Sequence, residues 1–338
     1  MAKPINLALQ GGGAHGAYAW GVLDRILEGG ELRIAAISGT SAGALNGAAL
    51  KAGFAAGGPE GARAALAALW GRVAGVGGPA LASWLAPFTP GNRALSAALS
   101  QSPAYIWGEA VSRATSPYAL GPFYANPLRP IVEEFDFDGV CGDNGPALFV
   151  CATRVRDGRA RVFSGDEIDT DAILASACLP TLFQAVEIDG EGYWDGGYTG
   201  NPALFPLYET RFPDDVVIVN INPLRREELP KSAPEILNRI NEVSFNASLL
   251  ADLRAIRFVQ RLIDAGRVPR GAMKYVLVHM IDDTAMMADL SVATKVLPSP
   301  VLIDRMFRAG RAAAEGFVAA HLGDVGERST VDLAGMYD

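Results

Sequence analysis

Ser41 stands at the corner of Gly39-Thr40-Ser41-Ala42-Gly43, with a glycine two places away on each side. A serine hydroxyl is a weak nucleophile until a neighbour takes its proton and the oxyanion it creates is stabilised. The G-x-S-x-G spacing suits a nucleophile elbow, in which the serine backbone is strained and small neighbours let strand and helix meet closely. Residues 34–37 form a short apolar run that reads as a buried strand, and residues 42–51 form a run that reads as a helix. The helix N-terminus would then favour negative charge beside the hydroxyl. The chain holds 38 glycines, so the pentapeptide alone could arise by chance, and the strand-turn-helix context carries the reading.

A second glycine-rich stretch, Gly11-Gly12-Gly13-Ala14-His15-Gly16, follows the first expected strand and opens a helix over residues 14–28. Consecutive backbone N–H groups beside a helix start make an anion cradle. The spacing also satisfies the dinucleotide fingerprint G-x-G-x-x-G. That fingerprint expects a carboxylate at the end of the second strand, where this chain has Ser38-Gly39-Thr40-Ser41. The nucleotide reading is therefore the weaker one. The stronger one makes the amides of Gly11, Gly12 and Gly13 an oxyanion hole for a tetrahedral acyl intermediate at Ser41.

Three histidines are available to serve the serine. His15 lies in the glycine loop, His279 in an expected strand and His321 near the end of the last expected helix. A Ser-His-Asp hydrolase needs its histidine on a loop at the catalytic end of the sheet. His279 is the leading histidine, although one histidine in an apolar strand is more often a satisfied core residue. Ser41 also follows only the second expected strand, too early for the α/β-hydrolase order. That leaves a carboxylate, and Asp195 in Asp195-Gly196-Gly197 is the leading candidate, although spacing does not single it out. Ser176 and Cys178 read as packing residues.

The elements that would position these groups follow from hydropathy patterning. Strands are expected over residues 4–9, 34–37, 147–155, 159–164, 185–188, 192–194, 216–222 and 275–281. The opening strand-helix-strand implies parallel pairing. Helices are expected over residues 60–73, 128–134, 169–177, 204–208, 234–265 and 301–322. In the long one, Ile236, Ile240, Val243, Leu250, Leu253, Ile256 and Ile263 lie close to one stripe. Residues 74–127 are broken by prolines and rich in aromatics, which suits either an irregular insertion or an apolar cap over the site. The expectation is one domain over 1–338, with that insertion at about 74–127 and a helical C-terminal part from about 233. The formal charge of −8 and pI near 5.1 argue against a nucleic-acid partner. Three scattered cysteines suit a reducing compartment, and the lack of an apolar run near 18 residues removes the spanning helix. A cytoplasmic protein without cofactor or metal is expected.

The three blocks Gly11–Gly16, Gly39–Gly43 and Asp195-Gly196-Gly197, in that order, resemble the patatin-like phospholipase family. The segment Ala175-Ser176-Ala177-Cys178-Leu179-Pro180 fits as well. The resemblance covers roughly residues 5–222. It implies a three-layer α/β/α fold with a largely parallel central sheet. It also implies a Ser–Asp dyad, with Ser41 as nucleophile and Asp195 as general base. Gly11–Gly13 would hold the oxyanion, while Gly39, Gly43, Gly196 and Gly197 shape the turns. The implied substrate is a lipid or other acyl ester, and the competing substrates are thioesters and intracellular polyesters. The reading allows peripheral membrane contact and a homo-oligomer. A non-catalytic lipid-binding module is the remote alternative. Family members usually carry arginine or lysine where this chain has His15. The departure leaves the glycine cradle intact but puts a mostly neutral ring in place of a fixed charge.

Overall fold

The computed structural model describes residues 2–76, 91–102 and 115–337. Much of the expected insertion, with Trp84, Phe88, Tyr105 and Trp107, lies outside the described residues, and so does any test of a cap formed by it. The chain opens with β1 (Lys3–Leu9), α1 (Gly16–Gly29), β2 (Leu32–Thr40) and α2 (Ala42–Val76). Next come β3 (Ala147–Arg154), β4 (Ala160–Ser164), α3 (Thr170–Ser176), β5 (Val186–Ile188), β6 (Glu191–Asp195) and β7 (Asp215–Val219). The C-terminal part holds α4 (Ala233–Asp264), β8 (Leu277–Ile281), the short α5 (Val292–Val296) and α6 (Pro300–His321).

The strands join in the order β5-β6-β3-β2-β1-β7-β8, with β4 also paired to β3. Pairing is parallel from β3 through β2, β1 and β7 to β8, and antiparallel where β4, β5 and β6 join. Strand periodicity sends alternate side chains to opposite faces. Leu7, Leu9, Ile37, Val217 and Val219 accordingly pack with α1, α2 and α6 on one side. Ala8, Ala36, Val216, Ile218 and Val278 pack with Leu249, Leu253 and Ile256 of α4 on the other. The result is the expected three-layer α/β/α arrangement around a mixed, mostly parallel sheet.

Register sets the site. Leu9 lies opposite Gly39, so β1 and β2 end level, and Gln10 to Gly13 leave the sheet beside Ser41. Ala152 lies opposite Asp195 on the other side of β3. Three chain segments far apart in sequence thus end at one edge.

The two helices expected over 42–51 and 60–73 are both present within α2, separated at a kink where Gly57 and Gly58 leave helical geometry ahead of Pro59. One expectation needs correction. In α4 the apolar stripe is only half used. Leu253, Ile256 and Ile263 are buried, whereas Ile236, Ile240 and Val243 are exposed. Hydropathy in the first turns of α4 therefore does not report burial.

Gly43 packs closely against the end of β1, where a Cβ would clash with the Leu9 carbonyl oxygen. Gly71, further along α2, has open space instead. Gly43→Ala should lower unfolding free energy by about 1–3 kcal/mol through overpacking. Gly71→Ala should raise it by about 0.5–1 kcal/mol through helix propensity. Urea denaturation of the two variants beside the wild type checks both signs.

Candidate active site

Ser41 is the residue between β2 and α2, and its backbone is left-handed, with φ 55°. Such a conformation is rare for a residue with a side chain and marks stored strain. Its N–H donates to Ser176 Oγ at 2.9 Å, and Ser176 Oγ donates to the Cys151 carbonyl at 2.6 Å. Thr40 Oγ1 donates to the Gly200 carbonyl at 2.6 Å. The corner is therefore tied to α3, β3 and the segment after Asp195. Ser176, expected to be a packing residue, is a strut of this turn.

Asp195 ends β6 and is only 1 % exposed. Its backbone is held on both sides, with its N–H donated to the Cys178 carbonyl at 2.7 Å and its carbonyl accepting Thr153 Oγ1 at 2.8 Å. Its carboxylate accepts the Gly197 N–H at 2.7 Å and faces the Ser41 hydroxyl. Burial pushes its pKa up to about 7, against the opposing pull of those two donors. The structure thus brings together Ser41 and a carboxylate that is half ionised near neutrality.

The glycine loop lies across from this pair. Gly11 N–H donates to Asn201 Oδ1 at 2.6 Å. It is engaged and does not point a free donor at Ser41, which corrects the three-donor expectation. Gly12 and Gly13 line the cavity at Ser41, and among the described residues their amides have no protein acceptor. Gly13 has φ 58° and sits against the Lys295 carbonyl, so a side chain there would collide with α5. Behind the loop is a buried amide network. Gln10 Oε1 accepts from the amides of Ile221 and Asn222 at 2.9 and 3.0 Å. Asn222 Nδ2 donates to the Gly11 carbonyl at 2.9 Å, and Gln10 Nε2 donates to Asn246 Oδ1 at 3.1 Å.

The histidines stand elsewhere. His279 is buried on β8, with Nε2 2.9 Å from Asp215 Oδ1 and Nδ1 3.2 Å from Thr330 Oγ1. Asp215 begins β7, the opposite end of the sheet from Ser41. His321 pairs with Asp324 near the end of α6. His15 is buried with Nε2 2.8 Å from Thr294 Oγ1, and burial followed by the nearby Lys295 charge pulls its pKa well down. Among the described residues, no histidine lines the cavity.

That cavity has a volume of about 220 Å³ and opens over Ser41 and Asp195. Its walls are mostly apolar, including Leu45, Trp70, Leu128, Phe183, Phe245 and Val296. Such walls exclude water and accept hydrocarbon. No group of three or more metal-binding side chains occurs among the described residues, and no described helix is long and apolar enough to cross a membrane.

A strained serine, a desolvated carboxylate and two glycine amides without a protein acceptor among the described residues meet at one end of the sheet of this α/β protein. The comparisons narrow the class. The family model described as "Patatin-like phospholipase" matches residues 7–208, and the chain belongs to that family. Membership implies activity on lipid esters in general. The crystal structure of VipD from Legionella pneumophila is similar over 94% of this chain and 67% of its own, with 15% identity and a TM-score of 0.43. No curated protein matches the chain.

Sequence reasoning missed Ser176, Asn201, Asn222 and Lys295. Only Ser176 carried a local signal, the small-residue stretch around it. Ser176→Ala would remove the Ser176 acceptor of the buried Ser41 amide and one donor to the Cys151 carbonyl. It should cost about 1–3 kcal/mol of stability, read as a lower midpoint in chemical denaturation.

Proposed function

We propose that this protein is a serine acyl hydrolase that cleaves carboxylic esters of lipids through a Ser41–Asp195 dyad. The observation that carries this reading is the pairing of strained Ser41 with buried Asp195 on the floor of an apolar cavity. Asp195 takes the serine proton as Oγ attacks the ester carbonyl. The carbonyl oxygen, now an oxyanion, lies against the Gly12 and Gly13 amides, with the N-terminus of α2 adding favourable potential. Collapse of the intermediate expels the alcohol, which receives the proton from Asp195. A water, deprotonated by the same carboxylate, then releases the acid from the acyl-enzyme.

Apolar walls favour an aliphatic acyl group in the cavity. Exposed Ile236, Leu237, Ile240 and Val243 flank Asn241 and Phe245 of its wall, so a lipid would approach over apolar surface.

Ser41→Ala and Asp195→Asn should each lower kcat/KM for p-nitrophenyl butyrate by at least about 10³-fold. Fluorophosphonate labelling should disappear in Ser41→Ala. His279→Ala, far from the cavity, should keep turnover per folded molecule within about threefold, whatever it costs in stability. A folded but inactive His279→Ala would overturn the dyad.

The pH dependence has a definite sign. Only ionised Asp195 can accept the proton, and its pKa is raised to about 7. Log kcat/KM should therefore climb with unit slope as pH rises toward 7 and level off above it. A profile already flat from pH 5 would contradict this assignment of the base.

A further inference from the structure

The middle of the glycine loop has no polar side chain to hold it, since it consists of Gly12, Gly13 and Ala14. Upstream, Gly11 is fastened by Asn201 and Asn222. Downstream, the first side chain able to fasten the loop is His15, which is buried. Its backbone N–H closes the turn on the Gly12 carbonyl at 3.2 Å, and its Nε2 lies 2.8 Å from Thr294 Oγ1. Glycine has more backbone freedom to lose than any other residue, so amides that must stay aimed at one point need holding at both ends.

Proton counting gives the direction of the His15–Thr294 bond. A threonine hydroxyl has one proton. That of Thr294 goes to the Ser291 carbonyl at 2.6 Å, while its oxygen also accepts the Ser291 N–H at 3.2 Å. Toward His15 the oxygen can only accept, so Nε2 carries the ring proton. Nδ1 is then a bare acceptor, buried without a partner among the described residues. A second ring proton would face that interior, and burial followed by the nearby Lys295 charge keeps the ring neutral. Thr294 stands on α5, whose Val292, Lys295 and Val296 line the cavity while Ala293 and Thr294 are buried. The same helix sets its Lys295 carbonyl against Gly13 and reaches Asn222 Oδ1 with the Lys295 ammonium at 2.7 Å. One face of α5 thus shapes the cavity, and the other grips the loop.

We propose that His15 and Thr294 are positioning residues, whose buried hydrogen bond fixes the Gly12 and Gly13 amides where the oxyanion forms. This rests on the reading of the cavity as an acyl-ester site. Asn201 and Asn222 hold the loop before the two amides, and the His15–Thr294 bond holds it after them. Thr294 lies beyond the residues matched by the family model, so an element of the C-terminal part completes the geometry of the glycine loop.

The test pairs kinetics with hydrogen exchange on the full chain as wild type, Thr294→Val, Thr294→Ser, His15→Leu and His15→Gln. Turnover of p-nitrophenyl butyrate is normalised to folded protein. Thr294→Val and His15→Leu should lower kcat by about tenfold or more with KM within about threefold, because a loosened donor is missed in the transition state and not in the bound ester. Thr294→Ser keeps the hydroxyl and His15→Gln keeps an N–H at similar reach, so each should restore kcat to within about threefold of wild type. Deuterium exchange over residues 10–18, read by mass spectrometry, should quicken in the two apolar variants and not in the two polar ones, with β8 unchanged in all. Unchanged kcat and loop exchange in Thr294→Val overturn the proposal. So does an equal fall in Thr294→Ser, which would make the contact one of packing, and so does a rise in KM alone, which would place the effect on substrate binding. Where Thr294→Val does not fold, the contrast of His15→Leu with His15→Gln decides by the same criteria. Exchange needs no turnover and is repeated in a Ser41→Ala background. A protein that cleaves no ester would sink the dyad reading, while loop exchange would still decide whether this bond holds the amides.

Discussion

An aspartate with almost no access to water is the constraint on which the rest of the site depends. Asp195 has one backbone amide and one serine hydroxyl for its carboxylate, too few to repay its lost hydration, and its pKa rises to about 7. Against an exposed aspartate the difference corresponds to roughly 4 kcal/mol. The sign is unfavourable to the fold at neutral pH. A carboxyl whose folded pKa is raised contributes its stability below the unfolded pKa, and loses it as pH rises toward 7. The surroundings must therefore hold the residue against its own preference. The Cys178 carbonyl and Thr153 hydroxyl do so by fixing its backbone on both sides, and β3 does so by pairing. Ser41 is a second strained group, 7 % exposed and left-handed, held by Ser176. Two unfavourable local states are kept within reach of each other by ordinary packing and hydrogen bonds around them.

The glycine loop follows a different rule. Its backbone is positioned by amide side chains in the interior, Gln10, Asn201, Asn222 and Asn246, which pair with one another and with the chain. A buried polar network of this kind rigidifies only when its members are satisfied. Here Asn201 consumes the Gly11 amide, and the Gly12 and Gly13 amides remain to face the cavity. One donor is spent on holding the loop so that the next two are fixed in space.

Legibility in the sequence divides along the same line. Local signals were readable: apolar runs became β1, β2, β3, β7 and β8, the Asp-Gly turns joined β3 to β4 and β5 to β6, and both glycine blocks lie at strand ends. They depend on backbone sterics and on period, which a chain carries within a few residues. Ser41 and Asp195 were readable as types in suitable turns, whereas their meeting depends on β3 standing between β2 and β6. Asn201, Asn222 and Asn246 carried no signal, because an asparagine takes its meaning from a partner that can lie more than 190 residues away, as Gly11 does from Asn222 at |i−j| = 211. The exposure of Ile236, Ile240 and Val243 was also hidden, since hydropathy reports the cost of contact with water and not whether a neighbour covers the residue.

The boundary of the family match gives this division a functional sense. Residues 7–208 contain Ser41, Asp195 and the glycine loop. Asn222, Asn241, Phe245, Val292, Lys295 and Pro298 lie beyond it, and all but Asn222 line the same cavity. The match therefore covers the groups proposed to make and break bonds, while much of one wall, and its lone cation among the described residues, comes from the C-terminal elements. Contact between α5 and Gly13 couples the two, because the Lys295 carbonyl occupies the space a side chain at Gly13 would need. A change in α5 that alters the wall also presses on the loop. Selectivity in such a site can change through the C-terminal elements only by substitutions that leave the backbone of α5 in place, and the side chain of Lys295 satisfies that condition.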